Sequence, residues 1–315
     1  KRGAMQAGFM LEPEQRINNG VAKAYWPKRG GAVFESAHGA EPTHYTSDDR
    51  TRVSFAGVDL DLVVADGETS DALYIWFPKE EVLFAGDNFY KSWPNLSPIR
   101  GSAYRDVRKW AMTIGAMLSE QPEVVVPGHT RPVVGSELVA EMLANYRDAI
   151  QFIFDKTVEG INEGLTPNQL IEYVQLPEKY QKLHYLRPHY GNPEWAVRSI
   201  FAGYLGWFDG NATNLFPLTD KEEAARLATM VGGVSELHTQ SEAAMEKGDY
   251  QWVLKLSDYI LALEPGSTDA KLRKADAMTK LAEEVLTTTA RNYYLSSAKE
   301  LRESAAAMIV SAPDE

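Results

Sequence analysis

The sequence predicts an α/β first half followed by an all-helical second half. Two observations carry that expectation. Between Val53 and Val126, short runs of Val, Ile, Leu and Phe are broken by turn residues and by one helical stretch. After Gly135, apolar residues recur at three- and four-residue spacing. At 315 residues the chain suits two domains. The expected boundary falls between residues 1–136 and 137–315.

Residues 1–52 carry turn signals without periodicity: Asn18-Asn19-Gly20, Gly30-Gly31 and Ser47-Asp48-Asp49. From Val53 the β-formers Val53, Phe55, Val58, Leu60, Leu62, Val63 and Val64 alternate in part, and Gly57 marks a turn between two strands. Leu73 to Phe77 and Val82 to Phe84 predict a hairpin across Pro78-Lys79-Glu80-Glu81. Residues 102–120 predict a helix with Val107, Trp110, Ala111, Ile114 and Leu118 on one stripe. A further strand starts at Val124.

In the second half, Leu138, Met142, Tyr146, Ile150, Ile153, Phe154 and Val158 form the apolar side of one helix. Thr166-Pro167-Asn168-Gln169 is a capping box with Pro at the first helical position. Asn192-Pro193 opens another helix in the same manner. Thr219 with Glu222 caps a third, which Gly232-Gly233 ends. Residues 241–282 resemble a tetratricopeptide-type helix pair through Ala244, Gly248-Asp249-Tyr250, Leu261, Glu264-Pro265 and Ala270. A solenoid needs about three such repeats. The pair is therefore expected to pack inside a larger helical domain.

Composition removes several function classes. The formal net charge of −12 argues against a nucleic-acid groove, which needs clustered basic residues. The absence of Cys excludes disulfides and thiol catalysis. No apolar run approaches the ~20 residues that span a bilayer.

Three strands lead into metal-ligand residue types. Val63-Val64-Ala65-Asp66-Gly67 leads to Glu68, Val82-Leu83-Phe84-Ala85-Gly86 to Asp87, and Val124-Val125-Val126-Pro127-Gly128 to His129. An α/β sheet gathers such strand ends at one edge, where sites form. A Glu, an Asp and a His there suit zinc or a similar divalent ion. Taken singly, each has an ordinary alternative: a solvated turn Glu, a capping Asp, a structural His.

The surrounding residues carry a resemblance. Gly67-Glu68-Thr69, Leu83-Phe84-Ala85-Gly86-Asp87-Asn88 and Pro127-Gly128-His129 resemble the later motifs of the metallo-β-lactamase superfamily. Asn88, Asn95-Leu96 and Arg100-Gly101 resemble its alkyl sulfatase branch, which hydrolyses dodecyl sulfate and related esters. Gly203-Tyr204-Leu205-Gly206-Trp207-Phe208-Asp209-Gly210-Asn211 is similar to that family's helical dimerisation domain, and Ala290-Arg291-Asn292-Tyr293-Tyr294-Leu295 to its later part. The implied fold is a partial αββα sandwich followed by an all-α, tetratricopeptide-like dimerisation domain.

The resemblance implies a set of roles. Glu68, Asp87 and His129 stand where the family has metal ligands, in a site for two zinc ions. Glu at 68, where the wider superfamily has His, favours the sulfatase branch; Asp87 replaces the branch's usual Glu. Asn95 and Arg100 match the sulfate-binding pair, and Arg suits a tetrahedral oxyanion through its planar fork of donors. Lys91 and Pro94 stand where the family has His, which leaves the general acid unassigned. His184 and His189 are expected to pack rather than to ligate. The implied reaction is metal-dependent hydrolysis of an alkyl sulfate or related anionic ester. The alternatives are another hydrolase of the superfamily (phosphodiesterase, lactonase or thioesterase) or a non-catalytic dimerisation fragment. A homodimer is expected, and the resemblance favours a periplasmic or secreted setting.

The superfamily's His-x-His-x-Asp-His motif is absent: the histidines are His38, His44, His129, His184, His189 and His238. The chain also lacks the family's C-terminal lipid-carrier-like domain. It therefore resembles a fragment, whose partner would be the missing N-terminal part of the same protein. Alone, it is expected to hold little zinc and to be inactive.

Overall fold

The computed structural model describes residues 1–17, 45–46 and 48–310. The Asn18-Asn19-Gly20 and Gly30-Gly31 turns, His38 and His44 lie outside the described residues. Two compact units emerge. One is Ile17–Gly210; the other joins Lys1–Arg16 to Asn211–Glu315.

The first unit is built on a six-stranded sheet whose strands neighbour one another in sequence order. They are β1 (Arg50–Phe55), β2 (Val58–Val64), β3 (Leu73–Phe77), β4 (Val82–Gly86), β5 (Val124–Pro127) and β6 (Val133–Val134). Ala56 and Gly57, both at positive φ, turn β1 into β2, as hairpins with right-handed strand twist require. The expected β3–β4 hairpin forms, with Phe77 opposite Val82. All neighbours are antiparallel except β4 and β5, which are parallel.

Helix α2 (Val107–Ser119) makes the crossover between those two parallel strands, and α3 (Ser136–Asn162) packs beside it. The helix expected from residue 102 starts later because Asp106 caps it, accepting the Lys109 N–H at 3.0 Å. The α2 stripe of Val107, Trp110, Ala111 and Ile114 is buried as expected, with Met117 added. On α3 the buried side is Val139, Met142, Leu143, Tyr146, Ile150 and Ile153, whereas Leu138 faces solvent. The helix starts at Ser136, so its first turn presents Val139 to the sheet. Among the described residues, this unit also holds α4 (Pro167–Tyr173), α5 (Glu178–Gln181) and α6 (Pro193–Leu205). The capping box at Thr166 and the Asn192 cap form as expected. One core runs from Val63 through Trp93, Trp110 and Ile150 to Phe201. The two compact units meet after Gly210, and α3 and α6 share their core with the sheet.

The sheet's other face is apolar as well. Leu62, Ile75 and Phe77 lie half-buried on it, and Val64, Leu73 and Phe84 are exposed. Strands made to be covered on both sides read as continuous apolar runs. The expected class of a partial α/β sandwich followed by helices holds.

The second unit comprises α1 (Arg2–Ala7), α7 (Asp220–Val231), α8 (Val234–Glu246), α9 (Tyr250–Leu263), α10 (Thr268–Glu284) and α11 (Thr288–Val310). Its core gathers Leu237, Val253, Leu256, Ile260, Ala270 and Ala277. Gly232 ends α7 at φ 106°, the left-handed conformation that Gly adopts without a Cβ penalty. Residues 1–16 are ordered, contrary to the irregular start expected. Helix α1 is too short to show periodicity; tertiary contacts hold it. Asn292 donates to the Gln6 carbonyl at 3.1 Å, and Lys299 pairs with Glu12 at 2.7 Å. Among the described residues no helix is long and apolar enough to cross a membrane.

One charged group sits inside the sheet. Asp61 is 2% exposed and accepts from Arg52 at 2.7 and 3.0 Å and from Arg50 at 2.8 Å. Arg52 lies directly opposite it on β1. Hydrogen bonding from Arg52 is the main reason that its carboxyl is held below the ordinary 3.8. A depressed carboxyl stabilises the fold above its unfolded pKa, and the contribution disappears as pH falls through the depressed value. Asp61→Ala should cost about 1.5–3 kcal/mol at pH 7, the range for hydrogen bonds to charged groups. In urea denaturation the gap between the variant and the parent should close in acid below that value. A gap unchanged across that pH range would contradict the ion-pair account.

Candidate functional site

Strand direction brings the three acidic and imidazole side chains to one edge. β2 and β4 both run antiparallel to β3, so they point the same way, and β5 runs with β4. The ends of β2, β4 and β5 therefore open on the same side, leading to Glu68, Asp87 and His129.

Asn88 ties the first two ends together. Its side-chain amide donates to the Ala65 carbonyl at 2.7 Å, and its side-chain oxygen accepts the Glu68 N–H at 3.0 Å. Gly67 is required by this staple, since a Cβ there would stand 2.2 Å from the Asn88 oxygen. Helix α2 supports the same loop. Trp110 Nε1 donates to the Asn88 carbonyl at 2.8 Å, Thr113 Oγ1 to the Asp66 carbonyl at 2.7 Å, and Lys109 pairs with Asp66 at 2.7 Å.

Asp87 and His129 meet because their strands are parallel neighbours. The Gly128 N–H donates to the Gly86 carbonyl at 2.7 Å, and His129 Nε2 stands 3.4 Å from Asp87 Oδ1. A Cβ at Gly128 would come within 2.2 Å of that same oxygen. Glu68 is engaged otherwise: its carboxylate pairs with Arg105 at 2.9 Å. Burial raises the Glu68 carboxyl above its ordinary value; Arg105 opposes the rise, and the Asp87 charge adds to it. Among the described residues no three His, Asp or Glu side chains converge as a ligand set. The donor chemistry nevertheless suits a cation, since the Asp87 charge adds to the cost of ionising Glu68 and His129 lies beside Asp87.

A cavity of about 440 Å³ opens beside Glu68. Arg100, Arg105 and Lys109 contribute its positive charge, with Asp66, Glu68 and Asp106 as the acidic side. Asp87, His129 and Asn95 are not part of its lining. Asn95 is buried; its N–H donates to the Tyr90 hydroxyl at 2.7 Å, its carbonyl accepts from Arg105, and its side chain hydrogen-bonds Tyr190. Arg100 donates to the Gly101 carbonyl at 3.2 Å and lies near enough to Tyr190 to act on its charge. Lys91 Nζ donates to the Pro132 carbonyl at 3.2 Å, and burial, then Arg131, lowers its pKa. Pro94 packs its carbonyl where a Cβ on Gly191 would stand, 2.0 Å away. His184 stacks edge-on to Tyr185 at 5.1 Å, and burial lowers the His189 pKa.

Comparison with known proteins places the chain in a family. Residues 166–304 match the alkyl sulfatase dimerisation family. The chain is 35% identical over 302 residues to a linear primary-alkylsulfatase of Pseudomonas sp., covering 95% of this chain and 56% of that protein. The chain is an alkyl sulfatase relative. An (R)-specific secondary-alkylsulfatase of Pseudomonas sp. is 30% identical over 309 residues, 96% of this chain and 46% of its own length. The solved structure of the stereoselective inverting sec-alkylsulfatase Pisa1 from Pseudomonas sp. superposes with a TM-score of 0.85 at 30% identity, over 96% of this chain and 48% of that one. The chain thus spans about half the length of the curated relatives it matches.

In this alkyl sulfatase relative, sequence reasoning missed Arg105. Its guanidinium is 5% exposed and joins Glu68 to the Asn95 carbonyl. No local pattern marks it: it is one Arg ahead of a helix cap, and only tertiary structure turns it inward. The role of Asn88 was half visible, as a motif residue without a function. Asn88→Ala should destabilise the unit by about 1–3 kcal/mol for each of the two buried groups it leaves unpaired. Gly67→Ala should lose a similar amount by displacing the same amide. Because both break one staple, the double variant should cost clearly less than the sum in urea denaturation. Strict additivity would show that the two residues act separately.

Proposed function

We propose that the full-length protein hydrolyses alkyl sulfate esters to an alcohol and inorganic sulfate. The observation that carries this reading is the 35% and 30% identity to two alkylsulfatases over nearly all of the chain, with the Arg100 guanidinium lining a cavity beside Glu68. The planar fork of donors on Arg suits a tetrahedral oxyanion. The identity to alkylsulfatases over nearly all of the chain supports sulfate as the anion.

Zinc is the proposed cofactor, as a pair of ions. Glu68, Asp87 and His129 would supply part of its coordination. When bound, such ions offer Lewis acidity and a nucleophile at neutral pH. The chain's own residues do the rest. Arg100 presents its fork of donors to the sulfate, and Asn95, held by Tyr190, is the second proposed sulfate contact. Arg105 fixes the Glu68 carboxylate and shields it from repulsion by Asp87. Asn88 sets the height of the Glu68 loop relative to Asp87. The helical unit is proposed to make a homodimer, a reading supported by the match of residues 166–304 to the dimerisation family.

Arg100→Ala in the full-length enzyme removes a charge-assisted contact worth about 1.5–3 kcal/mol. By the tenfold-per-1.4-kcal/mol relation, kcat/KM for dodecyl sulfate should fall roughly 10- to 150-fold. Bound metal should stay unchanged. Asp87→Ala should lower metal content and turnover together. Metal analysis beside steady-state kinetics separates the two roles, and normal turnover by Arg100→Ala would sink the assignment.

A further inference from the structure

The loop that carries His129 holds a backbone that its residue types do not favour. Residues 128–132 join β5 to β6. Thr130, directly after His129, sits at φ 73°. A β-branched residue in the left-handed region is an outlier, because its Cβ substituents crowd the backbone there. Such a conformation persists only where its surroundings over-determine it. The pairing of Val125 with Val133 closes the loop at its base.

Three hydrogen bonds to one neighbouring segment hold the rest. The Gly128 N–H donates to the Gly86 carbonyl at 2.7 Å. The Lys91 N–H donates to Thr130 Oγ1 at 3.3 Å, and Lys91 Nζ donates to the Pro132 carbonyl at 3.2 Å. Residues 86–91 thus fasten the loop on both sides of His129. The same segment supplies Asp87, whose Oδ1 lies 3.4 Å from His129 Nε2. It also supplies Tyr90, whose ring meets the imidazole edge-on with centroids 6.5 Å apart.

Lys91 makes two of those three bonds. It stands where the alkyl sulfatase resemblance has a His beside the substrate. Here its ammonium is engaged on the Pro132 carbonyl instead. Lys91 is not among the residues lining the cavity beside Glu68, whereas Arg100 and Lys109 are.

We propose that Lys91 and Thr130 are positioning residues for a divalent metal ion. Together they clamp the loop after β5 so that the His129 imidazole is held against Asp87. The inference rests on the metal site proposed above and adds the residues that orient one of its donors. It assigns Lys91 no proton transfer. Groups that orient a metal-ligating side chain typically contribute 10- to 100-fold to metal affinity.

Zinc titration of the full-length protein against a competing chelator tests the clamp, using Lys91→Met, Thr130→Val and Lys91→Arg. Lys91→Met keeps the stem and the backbone N–H but removes the bond to Pro132. Thr130→Val keeps the branched shape but removes the acceptor. Each should raise the zinc Kd about 10- to 100-fold. The double variant should raise it by less than the product of the two, because both loosen one loop. Lys91→Arg keeps a donor and should bind zinc as the parent does. With cobalt(II) as the probe, the visible absorption bands at saturation should shift in Lys91→Met and Thr130→Val, since a displaced imidazole alters the ligand field. A merely structural role would leave those bands in place. Thr130→Val decides the matter alone if Lys91→Met does not fold. Parent-like zinc affinity in both variants overturns the clamp. Unchanged zinc affinity in Lys91→Met with loss of the alkaline limb of the pH–rate profile also overturns it, because Lys91 would then be the proton donor. A parent that binds no zinc removes the metal reading, and the clamp's role with it.

Discussion

The edge of the sheet depends on one buried amide. Asn88 joins the loop after β2 to the turn after β4 by donating to Ala65 and accepting from Glu68. Both partners are backbone groups that would otherwise be buried without satisfaction, and such groups are costly. Trp110 Nε1 on α2 donates in turn to the Asn88 carbonyl. The helix, two strand ends and a candidate ligand are thus fixed by one residue and its immediate neighbours. Gly67 follows as a necessity, because no Cβ fits against that amide.

The electrostatics of the site follow from this rigidity. Glu68 is held where water is scarce and a second carboxylate is near, so ionisation is disfavoured. Arg105 offsets the cost by contributing a buried positive charge. A buried ion pair of this kind adds little net stability, because desolvation consumes most of the attraction. Its use is positional. The pair keeps Glu68 beside the cavity and connects it to the Asn95 backbone. The same chain handles Asp61 differently: two arginines from the neighbouring strand reach it from the solvent side, and its carboxyl is held ionised.

The two faces of the sheet, and the stretch before α7, carry apolar surface in different settings. One sheet face buries Tyr74, Trp76 and Leu83 under α2 and α3. The other carries Phe84 and Leu73 outward, with the residue types of a face meant for a covering layer. Phe216 is exposed on the stretch between a 3-10 turn and the capping box that opens α7.

Much of this architecture was legible in the sequence. Period-two and period-four patterns located β1 to β5 and the major helices, because alternation and the helical stripe are local consequences of backbone geometry. Caps at Thr166, Asn192 and Thr219 were readable for the same reason: each is a contact within four residues. Motif spacing also pointed to Glu68, Asp87 and His129 as strand-end residues. Other features depended on distant partners. Strand direction decided that those three ends share an edge. Packing decided that α3 to α6 join the sheet's core, and that residues 1–16 fasten to α11. The inward turn of Arg105 and the burial of Asn95 were likewise tertiary outcomes. The sequence by itself determined which of the longer segments are helix or strand. Only the tertiary structure decided which side chains meet, because those contacts join residues far apart in the chain and have no local pattern to announce them.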